Sequence, residues 1–130
     1  MDFCVSFQVA DIVWIQILRN WKYGKKSCRL TVKVYNLLRS CPDSGLYSQM
    51  TRAAVSIPSN IAEGAERNSK RDFVHFLYIA KGSAAELRTQ LYLAAELNFN
   101  SKDEIQPLVR DCKELSKMLK GLINAFSPQH

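Results

Sequence analysis

Two glutamates are the residues whose spacing first suggests chemistry. Glu63 and Glu86 fall in two successive segments with a helical apolar pattern, and paired carboxylates on neighbouring helices can form an acid–base pair or half of a metal site. Di-metal sites in helix bundles also need Glu-x-x-His motifs, but neither His75 nor His130 stands three residues after a glutamate. We therefore expect no metal, no cofactor and a structural polar network between helices, formed by Ser59, Asn60, Glu63, Ser83 and Glu86.

The other reactive side chains do not assemble into a catalytic motif. The sequence has four cysteines, which are Cys4, Cys28, Cys41 and Cys112. They form no CxxC pair, which is typical of free structural thiols rather than of zinc or redox sites. His75 has no nucleophile marked beside it, and the isolated Gly64 and Gly82 make no phosphate-binding loop. We expect no catalytic residues and no enzyme activity.

Basic residues are the second chemical signal. Eighteen Lys and Arg against twelve Asp and Glu give a net charge of +6, which favours anionic partners such as nucleic acid. They cluster in the ranges Lys22–Lys33, Arg67–Arg71 and Lys113–Lys120. Solvated helix faces also carry such charges, so that alternative stays open. The residues predicted to contact nucleic acid are Lys25, Lys26, Arg29, Lys113, Lys117 and Lys120.

Helices must position these residues, because apolar side chains recur at intervals of three and four. The first helix is predicted from about Lys25 to Ser40 and the second from about Leu46 to Glu63. The first stripe consists of Leu30, Val34, Leu37 and Leu38, widened by Val32 and Tyr35. Pro58 lies inside the second pattern. A kinked continuous helix is favoured over two helices, since the apolar phase continues past the proline.

The third helix is predicted to begin at Asn68 or Ser69, where a short side-chain oxygen can cap the first turn. It continues to about Asn98. Tyr78 and Tyr92 lie off its main apolar stripe. We expect these two tyrosines to contact a second protein surface in an oligomer.

The fourth helix is predicted to open at Ser101 or Asp103 and to end near Phe126, and its apolar stripe is the most regular in the chain. Short loops between the helices favour antiparallel neighbours. The expected fold is all-α, an antiparallel up-down-up-down four-helix bundle over residues 25–126. Residues 127–130 form a C-terminal tail.

Residues 1–24 are predicted to be an N-terminal extension of uncertain structure. Polar residues interrupt its apolar run from Met1 to Leu18, and neither a basic leader nor a small-residue cleavage site is present. We expect neither an export signal nor a membrane span, and therefore a cytoplasmic protein. The alternatives for this segment are an added strand or helix, or residues translated upstream of the natural start.

Two segments carry a family resemblance, RAAVSIPSNIAEG at Arg52–Gly64 and FVHFLYIAKGSAAE at Phe73–Glu86. They resemble the four-helix-bundle proteins encoded by intervening sequences in bacterial 23S ribosomal RNA genes. KMLKGLI at Lys117–Ile123 fits the closing helix of that family. The segments are also similar to the related accessory variability determinants of diversity-generating retroelements. The resemblance weakens before Lys25.

The resemblance implies a ring-shaped homopentamer of bundles with a basic, nucleic-acid-binding surface. For the retroelement branch it further implies binding to a reverse transcriptase and RNA, whereas the ribosomal RNA branch has no established biochemical activity that could be carried over to this chain. We therefore expect an oligomeric bundle that binds nucleic acid or a ribonucleoprotein through basic helix faces. The alternative is a structural or protein–protein interaction module without nucleic-acid binding, with Tyr78 and Tyr92 in its subunit interface.

Overall fold

The computed structural model describes residues 22–127 as four helices, with no strand among those residues. The helices are α1 (Lys22–Leu37), α2 (Ser44–Ala65), α3 (Lys70–Glu96) and α4 (Lys102–Phe126). The prediction of an all-α fold is confirmed. Helix α1 begins and ends three residues earlier than its stripe predicted, so residues 22–24 belong to a helix. The predictions for residues 1–21 lie outside the described part of the chain.

Local side-chain chemistry decides where three of the helices begin. Asp43 accepts a hydrogen bond from the Leu46 amide at 2.8 Å, and Ser69 accepts one from the Asp72 amide at 3.1 Å. At α4 the Ser101 hydroxyl accepts from the Glu104 amide, while the Glu104 carboxylate accepts from the Ser101 amide. This reciprocal capping box satisfies two amides that have no partner inside a helix. It defines the start of the helix that carries most of the candidate site.

Helix α2 continues without interruption through Pro58, as predicted. A proline has no amide hydrogen, so the carbonyl of Ala54, four residues earlier, loses its usual donor. The hydroxyl of Thr31 on α1 lies 3.0 Å from that carbonyl oxygen and 2.8 Å from the carbonyl of Ser27. The neighbouring helix therefore supplies a donor at the point where the proline removes one.

The core lies along the shared axis of the four helices. Each helix contributes one stripe, and the largest fully buried side chains include Phe73, Leu30, Met50, Ile57, Leu87 and Leu115. The stripe predicted for α1 was too wide, since Val32 is 57% exposed, Leu37 is 42% exposed and Tyr35 is 40% exposed. Val32 is turned about 200° away from Leu30 along the helix, so it faces solvent.

Contacts between helices show the direction in which each pair runs. Consecutive helices pack together, and α1 also packs against α4. Moving forward along α1 moves backward along α2, because Thr31 meets Ala54 while the Tyr35 carbonyl accepts from the Tyr47 hydroxyl. The same reversal joins α3 to α4, where Phe73, near the start of α3, packs edge-on against Phe126. These contacts fit the expected antiparallel bundle.

Candidate nucleic-acid interface

Two of the four carboxylates of α4 are held on the side that faces α1. Asp111 accepts from the Lys33 ammonium at 3.1 Å, and Glu114 pairs with Lys26 at 3.2 Å. Three residues separate Asp111 from Glu114, so both lie on one side of the helix. The two ion pairs join α1 to α4 and partly neutralise the charge of α1.

Cations line a different side of α4. We define the α4 basic row as Lys102, Arg110, Lys113, Lys117 and Lys120, all of which are exposed. Gln106 lies between Lys102 and Arg110, and with it each member of the row is three or four residues from the next. The residues therefore form one stripe about 27 Å long on the helix. Within residues 22–127 none of the five cations forms an ion pair. The row is therefore a stripe of exposed cations, unpaired within the described residues, with the uncharged Gln106 between the first two.

The six cations predicted to contact nucleic acid lie on two separate surfaces. Lys113, Lys117 and Lys120 belong to the α4 basic row, and the same spacing leads back to Arg110 and Lys102, which were not among the predicted contacts. Lys25 and Arg29 are exposed on α1, but Lys26 is tied to Glu114. The acidic side of α4 lies between the two sets.

The third basic cluster is also partly engaged. Arg67 pairs with Glu63 at 2.9 Å, and its guanidinium lies 4.8 Å from the centre of the Phe76 ring. Lys70 and Arg71 are exposed at the start of α3. This cluster is at the opposite end of α3 from the start of the α4 basic row.

An open cleft separates the last turns of α3 from the first half of α4. We call it the α3–α4 cleft, and its volume is about 440 Å³. The α4 side is lined by Lys102, Ile105, Gln106, Val109, Arg110 and Lys113. The α3 side is lined by Tyr92, Ala95 and Glu96. Tyr92 was predicted as an interface residue and Lys113 as a phosphate contact, and the fold places both at this cleft.

The polar network between α2 and α3 differs in membership from the prediction. The Ser56 and Ser83 hydroxyls are 2.8 Å apart, and the Asn60 amide donates to the Ser56 carbonyl at 2.7 Å and lies 2.9 Å from its hydroxyl. Asn60 and Ser83 are therefore brought together, with Ser56 as the member that was missed. The predicted residues outside this network, all exposed, are Ser59, Glu63 and Glu86.

The structure does not unite Glu63 and Glu86 in a site. Both carboxylates are exposed, and among residues 22–127 no group of three His, Cys, Asp or Glu could hold a metal ion. Burial raises the pKa of the Cys112 thiol to about 12, with a further contribution from the charge of Asp111 and an opposing one from Arg88. A thiol with that pKa is protonated at neutral pH and does not act as a nucleophile.

Helix α3 also presents large apolar side chains to solvent. We call this set the outer α3 surface, and its members are Tyr78, Ile79, Tyr92 and Leu93 on the helix and Leu97 directly after it, each between 39% and 55% exposed. Tyr78 and Tyr92 lie fourteen residues apart, or about 21 Å along the helix axis. In the described part of the chain, no helix combines the length and apolar character needed to cross a membrane.

Comparison with known proteins identifies similar chains. A family model described as 23S rRNA-intervening sequence protein matches residues 19–121, a range that begins before the predicted bundle boundary at Lys25. A crystal structure of a protein of unknown function from the S23 ribosomal protein family of Bacteroides thetaiotaomicron VPI-5482 is similar, with a TM-score of 0.72 and 26% identity. That match covers 78% of this chain and 97% of the other. No protein with a curated description matches.

Proposed function

The chain belongs to the 23S rRNA-intervening sequence protein family, and we propose that it is a non-enzymatic, oligomeric four-helix bundle that binds nucleic acid through the α4 basic row. One observation carries the proposal. All five cations of α4 lie along one exposed side without a carboxylate partner in the described chain, whereas Asp111 and Glu114 are held by α1. Unpaired cations in a row are available to a phosphate backbone.

The binding mechanism is electrostatic. Each ammonium or guanidinium that neutralises a phosphate releases a condensed counterion, so affinity falls steeply as salt rises. The row itself contacts the backbone and does not read base edges in a groove, so a weak sequence preference is expected from it. An oligomer, which the resemblance implies to be a pentamer, would present several rows to one strand and gain affinity through multivalency.

The two surfaces have different parts in this proposal. Lys25 and Arg29 on α1 are exposed and extend the interface when the nucleic acid is long enough to reach them. Lys26 contributes less, because binding a phosphate requires it to leave Glu114. The proposed partner is RNA, DNA or a ribonucleoprotein in the cytoplasm.

Salt-dependent binding tests the proposal. Anisotropy of a labelled single-stranded RNA is measured between about 50 mM and about 200 mM salt. The triple variant Lys113→Gln, Lys117→Gln and Lys120→Gln should bind more weakly, and the slope of log affinity against log salt should decrease by about 2, since each phosphate contact contributes about 0.7 for single strands. The matched control is Arg52→Gln, Lys70→Gln and Arg71→Gln, which removes the same charge from other exposed positions.

The control triple variant separates a local interface from the effect of net charge. It should retain most of the affinity and most of the slope of the unmodified protein. Equal losses in the two triple variants would mean that only the overall charge matters. No measurable binding by the unmodified protein at low salt would refute the proposed function.

The outer α3 surface supports a second candidate, a structural or protein–protein interaction module. Five large exposed apolar residues, four on one helix and one directly after it, are typical of a contact surface. Tyr78→Glu should then lower the molar mass measured by light scattering. Val32→Glu, at an equally exposed apolar position on α1, is the control and should leave the mass unchanged. Under this candidate alone, neutralising the α4 basic row would not alter partner binding.

A further inference from the structure

The α3–α4 cleft combines an apolar floor, an aromatic edge and a cationic wall. Ala95 on α3 with Ile105 and Val109 on α4 supply apolar side chains. Ile105 is 2% exposed and Val109 is 7% exposed, so both belong to the packed interior beneath the opening. Tyr92 contributes a ring that is 45% exposed. The cleft is therefore open to a flat ligand group that can lie against the ring.

The charges around the cleft favour an anion. Lys102, Arg110 and Lys113 line one wall, and among the described residues none of them forms an ion pair. Glu96 is the single carboxylate in the lining, and Gln106 adds an amide that can donate and accept. Three cations against one carboxylate leave an excess positive charge. An anionic group at the wall would compensate that charge.

The dimensions of the cleft limit the size of its ligand. A volume of about 440 Å³ lies in the lower part of the range of about 300 to 1,000 Å³ that small-molecule sites occupy. One base with its sugar and phosphates fits that range, whereas a base pair inside a helix cannot enter. The bases of a duplex are stacked and paired, and only an unpaired nucleotide offers its ring to an aromatic side chain.

We propose that the α3–α4 cleft binds one nucleoside phosphate, with the base against Tyr92 and the phosphates at Lys102, Arg110 and Lys113. The inference rests on the proposed function for the source of the ligand. That source is an unpaired nucleotide of a single strand bound along the α4 basic row. Three cations of the row line the cleft, so a strand bound along the row passes its mouth. Glu96 and Gln106 are placed to hydrogen-bond the sugar or the base edge. The protein then prefers single strands to duplexes.

Replacement of Tyr92 tests the stacking contact. Tyr92→Leu keeps an apolar side chain and removes the ring, whereas Tyr35→Leu makes the same change at a similarly exposed tyrosine on α1, outside the cleft. Anisotropy is measured with a labelled single-stranded RNA and with an RNA duplex of equal length. Tyr92→Leu should weaken single-strand binding by about fivefold or more, the lower end for loss of a base–aromatic stack. Duplex binding, and both affinities of the Tyr35→Leu control, should stay within about twofold of the values for the unmodified protein.

Several results would overturn the inference. Equal weakening of single-strand and duplex binding by Tyr92→Leu, or no weakening of either, would leave the α4 basic row as the interface and remove the cleft from it. A change in molar mass of the Tyr92→Leu variant in light scattering would place Tyr92 in a subunit contact and overturn the assignment too. The Tyr92→Leu variant should have the same molar mass as the unmodified protein.

A free nucleotide distinguishes failure of the inference from failure of the proposed function. Adenosine monophosphate is titrated into isotope-labelled protein, with ribose 5-phosphate as the probe without a base. Amide shifts centred on Tyr92 and Arg110 with the nucleotide alone support the cleft, even if no RNA binds and the proposed function fails. If RNA binding is also absent, such shifts identify a free nucleotide as the source. No shifts with the nucleotide, together with single-strand binding that Tyr92→Leu does not alter, overturn the inference.

Discussion

Gly64 lies where α2 packs tightly against α3, and its replacement tests how this pair is packed. A Cβ atom built on Gly64 would lie 2.8 Å from the Phe76 Cβ and 3.1 Å from the Phe73 Cδ1. Phe73 is fully buried, so its ring cannot move without disturbing the core. Among the described residues no glycine has a positive φ, so Gly64 is needed for space rather than for its backbone freedom. Gly64→Ala should therefore destabilise the protein.

The expected change in the free energy of unfolding of Gly64→Ala follows from two opposing effects. An extra carbon in a packed contact costs about 1 to 3 kcal/mol. Alanine is favoured over glycine within a helix by about 1 kcal/mol, but Gly64 is one residue from the end of α2, where this gain is smaller. A net loss of about 1 kcal/mol or more is expected. Gly82→Ala is the control, because nothing lies within 4 Å of a Cβ there, and it should gain about 0.5 to 1 kcal/mol.

Urea unfolding followed by helical circular dichroism measures the difference between the two variants. All samples are compared at one protein concentration, since oligomerisation links stability to concentration. Gly121→Ala is a second control on α4, where a Cβ also meets nothing within 4 Å. The free energies of unfolding of Gly64→Ala and Gly82→Ala should differ by about 2 kcal/mol. If Gly64→Ala proves as stable as the two controls, the close packing of α2 on α3 described above is incorrect.

Three further predictions concern single side chains. Thr31→Val should reduce the free energy of unfolding by about 1 to 3 kcal/mol, because the carbonyl of Ala54 loses the hydroxyl donor that lies where Pro58 has no amide hydrogen; unchanged stability in urea would contradict this. Ser101→Ala should cost about 0.5 to 2 kcal/mol and speed hydrogen exchange of the first-turn amides of α4. Cys112 should resist a thiol reagent at pH 8 in the native protein and react in urea, whereas exposed Cys28 reacts in both, as peptide mass spectrometry can show. The pKa of the Cys112 thiol rises from 9.0 to about 12 on folding. The contribution of Cys112 to stability is therefore complete below pH 9 and is lost as the pH rises towards 12. The loss should be absent in Cys112→Ala.

The predictability of the fold depended on how local each signal was. The start of α4 was predicted because Ser101 and Glu104 contact each other across three residues of chain. The burial of α1 was predicted less well, because the width of a buried stripe depends on which helices cover it. Val32 is apolar and lies in a helical pattern, yet neither α2 nor α4 covers it. The pattern of apolar residues in α1 does not show which of its sides the other helices cover.

The candidate site was predicted in part for the same reason. Neighbouring lysines in the chain were recognised, but the pairing of Lys26 with Glu114 joins residues on the first and last helices. Arg110 was missed because Asp111 follows it directly in the sequence, which makes the segment look neutral. One step of about 100° along the helix places these two side chains on different sides. The membership of the polar network was predicted only in part for the same reason, since Ser56 contacts Ser83 only when α2 packs against α3.

The positive surface of α4 is produced by folding more than by composition. The helix contains five Lys and Arg and four Asp and Glu, a net charge of only +1. Glu104 is used in the capping box, and Asp111 and Glu114 are bound to α1. The contacts that stabilise the bundle therefore hold three of the four carboxylates away from the α4 basic row. A substitution that released Glu114, such as Lys26→Ala, would weaken the α1–α4 contact and return a free carboxylate to the same helix, so stability and the proposed affinity for nucleic acid are coupled through one ion pair.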